Sequence, residues 1–128
     1  MASPFEYALL RVVPRVDRGE IVNVGVVLYC QEKRFLEAAV DLDPERLRAL
    51  DPRLDPGTVR AHLEAARRVC AGGPGAGPIG LLPPVQRFGW IVAPRSTVVQ
   101  PGPVHTGLAE DPEKALNHLL GTMVRAPR

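Results

Sequence analysis

The chain has 128 residues, the size of one ordinary domain, and can bury roughly two-thirds of its unfolded surface without metal or disulfide staples. Its hydrophobic share of 45%, charged share of 23% and net charge of +2 suit a soluble globular protein and set up no strong field. The basic residues are 14 Arg and 2 Lys with 14 acidic residues dispersed among them, and aromatics are 5%, so neither a phosphate-tracking stripe nor a set of base-stacking platforms is present.

Phe5 to Val13 alternates weakly and is rich in strand formers, which predicts a first strand. PRVDRG, residues 14–19, supplies Pro, Asp and Gly for a turn. Ile21 to Cys30, strongly β-branched, predicts a second strand, and Phe35 to Leu42 a third beyond the polar QEKR turn. Loops this short cannot make a parallel crossover, so the three form an antiparallel meander. Asn23 and Gly25 sit in the middle of the second strand although both residue types weaken a strand. Pairing Val13 with Glu20 across the turn sets Leu9, Tyr7 and Phe5 opposite Val24, Val26 and Leu28 on one apolar face. On the other face Ala8 lies across from Gly25 and Leu10 from Asn23, a shallow trough with an amide at its edge. Glycine there marks close approach either by another part of the chain or by a ligand.

Helices follow. Asp43-Pro44, Asp55-Pro56 and Asp111-Pro112 repeat one start signal, an Asp N-cap before a proline at the first helical position, where a missing N–H costs nothing. From Asp55 the helix puts Val59, Leu63, Ala66 and Cys70 on one side and Arg60, Glu64, Arg67 and Arg68 on the other, until AGGPGAGPIG ends it. The last helix, Pro112 to about Val124, has Leu116, Leu119, Leu120 and Met123 as its expected buried stripe. Between the two long helices, from Gly72 to Ala109, only Arg87 and Arg95 are charged. A flexible Gly/Pro-rich connection is expected over about 72–84, then two short strands, RFGWIVAP and STVVQPG, whose prolines mark edges or ends. The predicted fold is a single α+β domain over 1–128: an antiparallel β-meander sheet with two main helices, 56–71 and 112–124, packed on one face.

FEYALLRVVPRVDRGEIVNVGVVLY carries an F-x-Y, an R-x-x-P and an E-x-x-N-x-G-V. It resembles the opening of a small bacterial family catalogued as domain of unknown function 3037. RFGWIVAPRSTVVQPGPVHTGLAEDPEKALNHLLGTMV is similar to that family's C-terminal half, so the resemblance spans nearly the whole chain. It implies a cytoplasmic bacterial protein, often encoded beside a HipA-like kinase, and it carries no functional residues over to this chain.

The chemistry-bearing residues fall in two stretches. Arg11, Arg15, Arg18, Glu20 and Asn23 surround the first turn; Arg95, Ser96, Thr97, Gln100, His105 and Thr106 lie in APRSTVVQPGPVHTG. Arg with Ser and Thr beside glycines can hold a phosphate or carboxylate, the guanidinium as a fork and the hydroxyls as donors. There is no Walker-type loop, no G-x-G-x-x-G and no G-x-S-x-G elbow. Arg11, Asn23, Arg95, Ser96 and His105 are the candidates for ligand or partner binding, and the two stretches are expected to converge. The competing structural roles are an ion pair of Arg11 or Arg95 with Glu20 or Glu6, and His105 as a turn residue bonded to backbone. Cys30 and Cys70 stand 40 residues apart, and His62, His105 and His118 are scattered, so no metal, disulfide or cofactor is expected.

The leading expectation is a non-catalytic accessory or interaction domain, with the HipA-like kinase as its partner, cytoplasmic and away from membranes and nucleic acid; homo-oligomerisation stays open. The alternatives are a binder of a small anionic or nucleotide-derived ligand, and an enzyme of unrecognised type with His105 as base.

Overall fold

The computed structural model describes residues 1–125. Five strands form one antiparallel sheet: β1 Ser3–Val12, β2 Val22–Cys30, β3 Phe35–Val40, β4 Val99–Pro101 and β5 His105–Ala109. The helices are α1 Pro44–Leu50, α2 Pro56–Ala71, α3 Pro84–Ile91 and α4 Pro112–Leu119, the last running on as a π-helical turn over Leu120–Val124. β1, β2 and β3 form the expected meander. β4 and β5 lie end to end along the opposite side of β1, β4 against Leu10–Val12 and β5 against Ser3–Tyr7. Between them the Gly102 amide donates to the Leu9 carbonyl at 2.8 Å and continues the ladder past the prolines.

All three Asp-Pro starts are helix caps. Asp43 accepts from the Glu45 amide and Asp55 from the Gly57 amide, both at 3.0 Å. Asp111 accepts from the Glu113 and Lys114 amides at 3.0 and 3.3 Å. Each satisfies amides that have no partner inside their own helix.

The sheet buries both faces, and the two main helices lie on opposite ones, not on one face as the patterning predicted. Ala8, Leu10, Val12, Val22, Val24, Val27 and Tyr29 pack under α1, α2 and α3 through Leu47, Val59, Leu63, Phe88 and Ile91. Phe5, Val26, Leu28 and Cys30 pack under α4 through Leu116, Leu120 and Val124. The cause lies in β2, whose side chains from Val24 to Cys30 are buried on both sides. A strand with two apolar faces needs two covers.

The register also differs from the expected one. Leu9 pairs with Val26, Tyr7 with Leu28 and Ala8 with Val27, and a bulge follows at which Leu10 faces Gly25 but Arg11 faces Asn23. The extra residue in β2 changes the parity of the strand, so Val22 and Val24 share a core with Val27 and Tyr29. Gly25 pairs with Val40 of the neighbouring β3, which closes in on it together with Leu10: a Cβ there would stand 3.0 Å from the Ala39 carbonyl oxygen, 3.1 Å from Val40 Cγ1 and 3.4 Å from Leu10 Cδ1. The expected trough is therefore filled by the chain itself.

RFGWIVAP is not a strand; its first five residues, Arg87–Ile91, complete α3. Pro84 occupies the first turn, and Phe88 and Ile91, three apart, point inward, where Phe88 stacks on Tyr29 with ring centroids 5.5 Å apart. The expected Gly/Pro connection forms two short 3-10 turns, Pro74–Ala76 and Pro78–Leu81, tied by the Gly73 amide donating to Gly80 O at 2.8 Å. Arg87 fastens this segment to α2, donating to the carbonyls of Val69, Cys70 and Leu82 at 2.8, 2.6 and 2.9 Å. In the last helix Leu119 is half-buried and Met123 exposed, because the π turn brings Leu120 and Val124 inward instead.

Candidate functional site

Of the five candidate residues, Arg11 and Asn23 are brought together, as direct neighbours across β1 and β2 beyond the bulge. Alternation along β1 puts Arg11 on the α4 face with Leu9 and Tyr7. Asn23 Nδ2 donates to the Met123 carbonyl at 3.0 Å, and Arg46 donates to the Val124 carbonyl at 2.8 Å. These two donors satisfy carbonyls at the end of the π turn that no helical amide can reach, and Arg125 pairs with Asp41 at 2.7 Å alongside. Asn23 is thus a fastener of α4. Arg11 lays its guanidinium against Gly102, where a Cβ would stand 2.8 Å from Arg11 Cζ. Its Nε and the Asn23 Oδ1 are buried without a protein partner among the described residues. The expected ion pair of Arg11 with Glu20 is absent among the described residues; Glu20 pairs with Arg18 instead.

Arg95 lies apart from Arg11, on the α1–α3 side. Its guanidinium sits 4.6 Å from the Trp90 ring centroid and donates to the carbonyls of Trp90 and Ala93, closing the end of α3. It also borders a cleft of about 90 Å3 with Leu10, His62, Ala66, Trp90 and Gln100. Ser96 is exposed in the following loop. His105, also exposed, pairs with Tyr7 across β1 and β5 and lays its ring on the Tyr7 ring at 5.3 Å. Tyr7 is four residues along β1 from Arg11, about 13 Å at strand rise. So 11–23 and 95–106 meet as neighbouring strands through Gln100 opposite Arg11, while Arg11, Arg95 and His105 occupy separate surroundings.

Other features escaped the sequence reading. His62, on α2, reaches the Arg95 cleft, and a lone histidine on a helix gives no signal of this. A second, wider cleft of about 300 Å3 opens at the far end of the sheet between Pro4, Glu6, Tyr29, Glu32 and Thr106. Burial pushes the Cys70 thiol up to about 12, so it behaves as a small apolar side chain. Among the described residues no group of His, Cys, Asp and Glu gathers as metal ligands, and no helix is long and apolar enough to cross a membrane.

Fold and surface together define a small α+β domain: a two-faced antiparallel sheet whose polar groups mostly fasten helix ends. The family model described as "Protein of unknown function (DUF3037)" matches residues 7–124, nearly the whole chain, and the chain belongs to that family. No curated protein and no solved structure matches it.

Proposed function

We propose that this protein is a non-catalytic interaction domain that docks another protein on the surface around the start of α3. The observation that carries the reading is the exposure of large apolar side chains there: Leu81 at 71%, Val85 at 56% and Leu82 at 38%. Neighbouring apolar side chains left in solvent together mark docking surfaces far more than isolated ones do. The segment is held in place from beneath by Phe88, Ile91 and Arg87, so it offers a preformed surface rather than one that must order on binding. The HipA-like kinase that the family resemblance implies is the first partner to try. Co-elution of the two proteins on size exclusion is expected, and Leu81→Asp with Val85→Asp should abolish it without lowering the melting temperature. Separate elution at micromolar concentrations with unchanged kinase activity removes the kinase as partner.

A second reading, a small-anion binder, draws on the Arg95 cleft. Arg95 and His62 border it and no carboxylate does. At about 90 Å3 it suits a carboxylate or inorganic anion better than a nucleotide-derived ligand, which needs a few hundred Å3. Titration calorimetry with phosphate and acetate tests it, and Arg95→Ala should remove any heat of binding.

A further inference from the structure

The outer edge of β5 carries an inference independent of the α3 surface. Leu9 uses its carbonyl, and Val13 its amide, toward the β4–β5 side of β1. Odd-numbered residues of β1 therefore turn their backbone groups toward β5, and their partners Ala109, Gly107 and His105 turn theirs inward. Thr106 and Leu108 must then point their amides and carbonyls outward, where the sheet has no further strand among the described residues. Native edges are blunted by charge, proline, bulges or cover. β5, HTGLA, holds no Asp, Glu, Lys, Arg or Pro, and Leu108 is 72% exposed; its only guard is its length. The opposite edge, β3, is protected by Glu37 within it and by Lys33 and Arg34 just before it.

We propose that β5 pairs antiparallel with β5 of a second copy of this chain, about a two-fold axis through Gly107. In that register Thr106 of each copy exchanges bonds with Leu108 of the other, using the outward backbone groups in about four hydrogen bonds. The axis falls on a residue with no side chain, at the point where paired strands come closest. A side chain could not replace it, since a Cβ at 107 would stand 2.5 Å from Phe5 Cζ. No like charges meet: Glu110 of one copy lies across from Val104 of the other, and His105 across from Ala109. The same register disposes of the exposed leucine. Thr106 and Leu108 share a sheet face with Glu6 and Pro4, the face on which the cleft of about 300 Å3 opens. Leu108 of the second copy lands beside Thr106, at the rim of that cleft, about 4.8 Å away in strand spacing. An exposed apolar side chain and an unfilled cleft are thus brought together by the one symmetric register that the free backbone groups allow.

Sedimentation equilibrium of the full chain from about 5 to about 500 µM tests this, a range that brackets a small edge-to-edge interface. The expected result is a mass rising from 13.9 kDa to twice that value. Thr106→Pro removes an outward amide without touching the β1 ladder and should weaken association at least tenfold. Leu108→Glu brings a carboxylate to the rim that Glu6 and Glu32 of the other copy line and should do the same, more strongly at low salt. Circular dichroism melts confirm that each variant folds, and should Thr106→Pro fail to fold, Leu108→Glu decides. A monomeric mass throughout overturns the proposal, as does a dimer that a folded edge variant leaves intact. The Leu81→Asp, Val85→Asp protein should still dimerise, which separates failure of this interface from failure of the α3 docking surface.

Discussion

On one face of the sheet three helices spread a core from Ala8 to Val99, with Leu47, Val59 and Leu63 almost wholly buried. On the other, α4 and its π turn alone close a smaller core around Phe5, Val26, Leu28 and Cys30. The first cover is broad and apolar and meets the sheet by packing, its polar ties from Arg87 and Arg95 running within the cover itself. The second is narrow and depends more on polar fasteners at its end, Asn23 and Arg46 on the last carbonyls and Arg125 on Asp41. A single helix cannot bury enough apolar area to fix its own orientation, so side-chain donors from β2 and α1 hold its terminus.

The largest expected effect tests that contrast directly. Leu63→Ala should cost about 3–5 kcal/mol in urea unfolding, because a broad, well-packed core collapses poorly around a cavity. Leu120→Ala should cost less, about 2–3 kcal/mol, since the single helix can settle inward. Equal losses would mean that the two covers are equivalent and the contrast false. Gly25→Ala comes next, at about 1–3 kcal/mol, because the added methyl meets the Ala39 carbonyl, which cannot move without dragging β3. A neutral result in the same assay would show that the bulge has slack. The smallest effect is at alkaline pH. The folded Cys70 thiol titrates at about 12 against an ordinary 9.0, so its contribution to stability is fully present below pH 9 and is lost as pH rises toward the folded value. Thermal melts from pH 8 to 11 should therefore fall less steeply for Cys70→Ala than for the unaltered chain. Both thiols, buried in the fold, should resist aromatic disulfide reagents until urea is added.

The meander, the three Asp-capped helices and the buried valines were legible in the sequence because each follows from local chemistry. A strand must alternate, a short loop must reverse the chain, and an Asp before Pro leaves its carboxylate free for the next amides. VNVGVVLYC also held the clue to a two-faced sheet, since a run apolar on both parities cannot be half-exposed. The apolar stripes of α2 and α4 carry no sign of which face of the sheet each helix covers. α3 was hidden because eight residues rich in Phe, Trp, Ile and Val satisfy a strand as readily as a helix over so short a span. What decides is Phe88 against Tyr29, a contact between residues far apart in the chain.

The candidate site was legible only as a set of residue types. Arg11 and Asn23 do become neighbours, but the one-residue bulge that pairs them depends on how β1, β2 and β3 fit together, and no local rule sets it. Arg95 was separable from His105 only once β4 and β5 had docked along different parts of β1. The sequence by itself determined where the meander turns, where the three Asp-capped helices begin and that the valines of β2 leave water, because those depend on near neighbours and on hydrophobicity. Tertiary structure alone decided which face each helix covers, that Gly25 accommodates β3, and that Thr106 and Leu108 hold the outward backbone groups of an open edge. These depend on distances between segments that are remote along the chain, and such distances exist only after the sheet has chosen its register.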